Sequence, residues 1–306
     1  MDSSRSHSTL SGAVVRGAAR RAAPSDVRIH GRTRGAAIVV WLVASLLFVG
    51  CKRSSEASAR HAEEHARFVA KAAATDVQEV RQGLPKGAEH VREYLAAGKF
   101  EDAAVAREVL EKARNKIQDL RVAKSTFFLL VDPSGTVLRS DQEHDAIAGK
   151  NLFGAFGELR EALAGKYVET RGSIEELSGV RGRPDGQWIA AVPVNAEGRV
   201  RGLYATGWSW SAYAYRLENQ LRSEIRGKLG EREKEPLVYV YVVVGKDVYG
   251  APVSPDVNAR SIRERGLSNQ ASTAELEITG RDFGLAYRPT PELGPGVGVA
   301  VLRSET

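Results

Sequence analysis

The chain has 306 residues, 42% hydrophobic and 27% charged, which is the balance of a globular protein and not of a disordered one. Its formal charge of +6 points toward nucleic acid only until it is divided. Residues 1–50 hold seven arginines, no lysine and two aspartates, so the rest of the chain is nearly neutral and no nucleic-acid partner is expected.

The N-terminus reads as an export signal. Arg28, Arg32 and Arg34 precede an uncharged apolar run, AAIVVWLVASLLFVG, at residues 36–50. The run has the length of a signal core and falls short of the roughly 20 residues that a bilayer span needs. It ends at Cys51, the single cysteine. LFVGC resembles a bacterial lipobox, with Gly50 before the cysteine to be lipidated. Two readings stay open: a lipoprotein anchored at Cys51, and an uncleaved single-span anchor. Both place residues 52–306 outside the cytoplasm, in the cell envelope, because positive charge stays inside. More than one acyl chain on Cys51 would hold firmly, at about 0.8 kcal/mol per buried CH₂. With no second cysteine there is no disulfide, so the exported part must rely on its core.

Residues 54–122 read as helical. From Ser55 to Gln82 the composition favours helix, with a thin apolar stripe of Phe68, Ala72, Val77 and Val80. GLP at 83–85 is expected to break it, and a short helix over Val91–Ala97 stops at Gly98. A further helix from Glu101 to Lys124 carries Val105, Val109, Leu110, Ala113, Ile117 and Leu120 at three- and four-residue spacing. The period then changes. TFFLLV at 126–131 is a continuous apolar strand, DPSG at 132–135 a type I turn, and TVLRS at 136–140 the returning strand. Its lack of alternation implies that both faces are covered, one by the 101–124 helix. A polar loop follows, then a short helix at 152–165 ended by Gly165. Three extended segments come next, at 167–175, 187–194 and 200–210, the last two joined by the NAEG turn. A helix spans 211–233. Strands at 237–245 and 247–252, a helix at 255–267, a hairpin of 274–280 with 283–290, and a strand at 296–303 complete the chain. Strand, strand, helix, strand, strand, strand therefore occurs twice.

FFLLVDPSGTVLRSD, then GKNLF and LREALAG, then IAAVPV and GLYATGWSW resemble the Cache family of extracytoplasmic, PAS-like sensor domains. The second half, ending FGLAYRPTPELGPGVGVAVL, looks like the smaller module of a double Cache domain, so the likeness covers about residues 55–303. It implies an α+β fold: two PAS-like antiparallel sheets backed by a long N-terminal helical segment. The divisions expected are an anchor at 1–51, helices at 52–124, a membrane-distal module at 125–210, a linking helix at 211–235 and a membrane-proximal module at 236–306. It also implies a pocket, usually in the distal module, for a small molecule of the amino-acid, carboxylate or amine class. The Arg-x-Trp-Tyr spacing of the amino-acid-binding members is missing. With no output domain after Thr306, signalling is expected through a protein partner, or through a homodimer formed by the N-terminal helices.

Other chemistry finds little support in the residues. His61 and His65 in HAEEH lie one helical turn apart, but Ala62 stands where a zinc protease helix has its glutamate, so a solvated face is expected and no metal. DQEHD at 141–145 lacks the glycine and final glutamate of a calcium loop. GPGVG at 294–298 is a turn, and no G-x-S-x-G elbow occurs. No cofactor and no enzymatic activity are expected; a secreted hydrolase would have to rest on His144. The candidate ligand site is aromatic. Alternation puts Tyr204, Thr206 and Trp208 on one strand face, with Trp188 on the neighbouring strand and Arg139 and Asp141 at the hairpin exit. Arg139 would clamp a carboxylate and Asp141 an amine. The alternative is that the aromatics are core and the two charges a surface pair. A ligand-free interaction module on the same scaffold is the competing function.

Overall fold

The structure, a computed structural model, describes residues 36–305 except 268, with side chains from residue 56 onward. The expected signal over the first residues and the side chain of Cys51 lie outside the described residues. From Phe48 onward the described residues form one compact unit.

Helix α1 runs Ala36–Ala97. Its buried stripe is Ala62, Ala66, Val69, Ala73, Val77, Val80, Leu84, Ala88, Val91 and Leu95, at steps of three and four. Phe68 and Ala72 only flank that stripe. The break expected at GLP does not occur, since Pro85 lies inside the helix. The two glycines around it explain why. A Cβ at Gly83 would stand 2.9 Å from Asp119 and Leu120, and one at Gly87 would stand 2.7 Å from the Tyr204 ring. Close packing on both sides outweighs the hydrogen bond that Pro85 cannot make.

The next helix is shorter than expected and divided: α2 is Ala103–Lys116 and α3 is Gln118–Val122. Asp102 starts α2 by accepting from the amides of Ala104 and Val105. Ile117 leaves helical geometry, at φ −105° and ψ 111°, and Leu120 is buried against Gly83 and Gly87 of α1.

Five strands follow: β1 (Phe127–Val131), β2 (Val137–Ser140), β3 (Val168–Gly172), β4 (Gln187–Ala196) and β5 (Arg199–Ser209). They form an antiparallel sheet in the order β2-β1-β5-β4-β3. The DPSG turn is tied by the Asp132 carboxylate, which accepts from the Ser134 and Thr136 amides. The helix expected at 152–165 is two 3-10 segments, Leu152–Gly154 and Gly157–Ala164, ended by Gly165 at φ +90°. Helix α4 (Trp210–Lys228) leads to the second sheet. That sheet contains β6 (Leu237–Val244), β7 (Asp247–Gly250), β8 (Ser272–Ile278), β9 (Arg281–Pro289) and β10 (Val297–Ser304), with α5 (Asp256–Arg265) between β7 and β8. Its order, β7-β6-β10-β9-β8, repeats the first. The molecule is α+β, with two PAS-like sheets and a long N-terminal helix.

One core lies between the helices and both sheets. It joins the α1 stripe to Phe128, Leu130, Trp188, Tyr204 and Trp208 of the first sheet and to Val240, Val299 and Val301 of the second. The turns of α1 at Ser58–Glu63 meet the second sheet: Gly284 of β9 packs on Ser58 and Ala59, and Glu63 pairs with Arg288 at 2.8 Å. The later turns meet the first sheet, where Arg81 forks onto Glu169 at 2.6 and 2.9 Å. On the far side of the first sheet, Phe127, Leu129 and Val131 pack under Phe153, Phe156 and Leu159. On the far side of the second, Tyr241, Val243 and Leu285 pack with Ile262 of α5. Both faces of β1 are thus covered, which is why its sequence does not alternate.

Candidate functional site: a cleft between two polar loops

Two loops rise beside the far face of the first sheet. The first follows β2. Asp145, at φ +44°, turns it by accepting from the Ser140 amide at 2.8 Å and the Ser140 hydroxyl at 2.7 Å. Arg107 of α2 donates to the carbonyls of Gln142 and Glu143, and the Gln142 side chain donates to the Thr126 carbonyl. The second loop joins β3 to β4. Buried Asp185 holds its return by accepting from the amides of Gly179 and Ser211. Burial pushes the Asp185 pKa up, against those hydrogen bonds. Lys150 and Glu176 tie the two loops together at 2.6 Å, and that lysine holds the Glu176 carboxyl below its usual range.

Between the loops lies an open cleft of about 820 Å³, lined by parts of 142–147 and 173–185. The lining carries five carboxylates (Glu143, Asp145, Glu175, Glu176 and Asp185) against the guanidiniums of Arg181 and Arg183, with His144 beside them. Asp145, Asp185 and Glu176 are engaged as above, and Arg183 pairs with Asp256 at 2.7 Å. Among the described residues the carboxylates of Glu143 and Glu175 and the guanidinium of Arg181 have no hydrogen-bond or ion-pair partner. These three are free to meet a ligand: two anions for an amine, one cation for a carboxylate.

None of the six residues expected from the sequence lines this cleft. Trp188, Tyr204, Thr206 and Trp208 share the opposite face of the sheet, under the helices, and are at most 1% exposed. Trp188 stacks on Trp208 at 4.3 Å, and Trp208 stacks on Tyr213 of α4 at 4.4 Å. Thr206 donates to the Phe127 carbonyl at 2.8 Å. The Tyr204 hydroxyl and the Trp208 indole nitrogen are buried without partners among the described residues. Arg139 donates to the carbonyls of Leu138 and Glu101, and its near carboxylate, at 3.7 Å, is Asp145 and not Asp141. Asp141 accepts from the Phe128 amide at 2.8 Å. The cleft residues were visible in the sequence only as two polar stretches, DQEHD and SIEELSGVRGRPDG, without periodicity to show that the fold brings them together. Among the described residues no group of three His, Cys, Asp or Glu is arranged to hold a metal ion. No described helix is long and apolar enough to cross a membrane.

No family model matches the chain, and no curated protein matches it. Solved structures of extracytoplasmic sensor domains do. One is an extracellular ligand-binding receptor of Desulfohalobium retbaense, at 12% identity and a TM-score of 0.46, covering 78% of this chain and 39% of that one. The chain therefore spans about two-fifths of that receptor. The ligand-binding domain of the Pseudomonas aeruginosa amino-acid chemoreceptor PctC, solved with GABA, matches at 17% identity and a TM-score of 0.40, over 79% of this chain and 97% of that one. That of the Pseudomonas fluorescens chemoreceptor CtaA, solved with L-alanine, matches at 15% and 0.42, over 79% and 95%.

Proposed function

We propose that the chain is an extracytoplasmic sensor whose cleft takes a small molecule bearing an amine, and that an amino acid satisfies it best. The observation that carries this reading is the trio of unpartnered charges, Glu143, Glu175 and Arg181, in an open cleft over a helix-backed sheet. An amine meets the two glutamates and a carboxylate meets the arginine. In this reading Trp188, Tyr204, Thr206 and Trp208 stiffen the sheet from behind, and Arg139 and Asp141 set the loop that forms one wall. The N-terminal part, 1–51, tethers the protein to the membrane, by lipid on Cys51 or by a single span. Residues 125–210 form the distal module and 236–306 the proximal one. The signal passes to a protein partner, or to a second copy gripped by the N-terminal helices.

The test is a thermal-shift screen of the full chain against amino acids, simple amines and organic acids. A ligand at 100 times its Kd stabilises by about 2.7 kcal/mol. Amines or amino acids are expected to raise the melting temperature, and Glu143→Gln with Glu175→Gln to abolish the shift. A response to organic acids alone, or to nothing in the screen, rejects the reading.

A further inference from the structure

Where β6 and β7 meet α5 lies a pocket of about 360 Å³, bordered by Arg183 and Pro184, which also line the first cleft, and by Ser211. Tyr241 of β6 and Ser254, just before α5, line it, together with the helix face that bears Asp256, Ala259, Arg260 and Arg263. Tyr241 is fully buried and Asn258, on the first turn of α5, is 3% exposed. Asn258 and Ser254 both reach toward the Tyr241 hydroxyl, and beyond that cluster neither hydroxyl nor the Asn258 amide nitrogen meets another partner among the described residues. Buried polar groups are rarely left unmade, and with both neighbours directed at its oxygen the Tyr241 proton calls for an acceptor. The Tyr241 ring is fixed against Gly250, where a Cβ would stand only 2.5 Å away. Helix α5 begins at Pro255 with no side chain capping its first turn.

The charges agree. Arg260 and Arg263 are exposed at the rim, one turn apart, and neither has a carboxylate partner among the described residues. Of the other charged groups lining the pocket, Arg183 is paired with Asp256, and Asp247 is exposed. We propose that this pocket is a second ligand site, beside the cleft of the first module, for a small oxyanion held by the Tyr241 and Ser254 hydroxyls and by Arg260 and Arg263. Burial pushes the Tyr241 pKa far up, so its hydroxyl keeps its proton and donates. Two guanidiniums on one helix face fork onto a single anionic group, and the open first turn adds its positive end. The volume is at the small end for ligand pockets, which favours a compact acid over a nucleotide.

The experiment is calorimetric titration of the full chain with sodium acetate, sodium succinate and inorganic phosphate at constant ionic strength. Saturable binding of at least one is expected. Arg260→Gln with Arg263→Gln, both on the surface, weakens it by about tenfold or more. Tyr241→Phe weakens it several-fold. Acetate or succinate binding assigns a carboxylate, and phosphate binding alone assigns a phosphoryl group. Glu143→Gln with Glu175→Gln leaves this binding unchanged, so its result is independent of the reading of the first cleft. No saturable binding of any of the three anions, or binding that survives the double arginine substitution, overturns the proposal.

Discussion

Asp141 is a carboxylate placed where its charge is costly. It sits just past β2, accepts the Phe128 amide and donates its own amide to the Phe128 carbonyl at 3.0 Å. Burial raises its pKa to about 6, with the Phe128 amide and Arg114 pulling the other way. The folded value lies above the unfolded one, so the native state holds the proton more tightly between them. Stability from this group is therefore full below about pH 4 and declines as pH rises through about 6, by about 1–3 kcal/mol in all. Asp141→Asn keeps the acceptor for Phe128 and removes the charge. It is expected to raise the unfolding midpoint near pH 7.5 and to flatten the profile below it. An Asn variant less stable than the parent near pH 7.5 would show that the ionised carboxylate is needed.

At the scale of elements, α1 is one helix because its neighbours use the residues that ought to interrupt it. Gly83 and Gly87 admit Leu120 and Tyr204 to within a distance that a methyl group would occupy. On helix propensity alone Gly87→Ala should gain about 1 kcal/mol. Overpacking against a fully buried ring costs about 1–3 kcal/mol, so the balance is a loss. Thermal melts of Gly87→Ala should show a lower midpoint, and a higher one would mean that the Tyr204 ring moves aside freely. Asp102 is a simpler case: Asp102→Ala removes the bonds to the Ala104 and Val105 amides and should cost about 1 kcal/mol in chemical denaturation, with the first turn of α2 exchanging faster.

For the molecule as a whole, α4 couples the sheets. At its start Tyr213 completes the stack on Trp208, and the Tyr213 hydroxyl donates to buried Asp76 of α1, which also holds Lys124 at 2.7 Å. Farther along, β6 reaches past β7, and α4 side chains serve the part of its edge that β7 leaves unpaired. Glu218 accepts from the Val240 amide at 3.0 Å, and Arg222 donates to the Val238 carbonyl at 2.6 Å. Burial raises the Glu218 pKa, with the Val240 amide and Arg222 opposing it. Glu218→Ala orphans the Val240 amide and takes from Arg222 its nearest carboxylate, and should cost about 2–4 kcal/mol. Glu218→Gln, which keeps the acceptor, should cost less. Tryptophan fluorescence follows the first sheet and hydrogen exchange in β10 the second. Both should report the loss together, and a loss confined to the second sheet would mean that the modules unfold independently.

Much of this was legible in the chain itself. The change of period at Thr126, the DPSG turn, the glycine stop at Gly165 and the two strand series reappear within a few residues of their expected places, because each depends on neighbours in sequence. Alternation also put Tyr204, Thr206 and Trp208 on one face. It could not say what that face meets. Only packing decided that α1 and α4 cover it, leaving the cleft on the other side. Packing likewise carried α1 through Pro85 and bent the chain at Ile117. The cleft itself is built from two loops separated in sequence, 142–147 and 173–185, with no period to link them. Local periodicity determines which side chains share a face; the contacts between distant segments, set by the close fit of α1 against both sheets, determine whether that face is core or site.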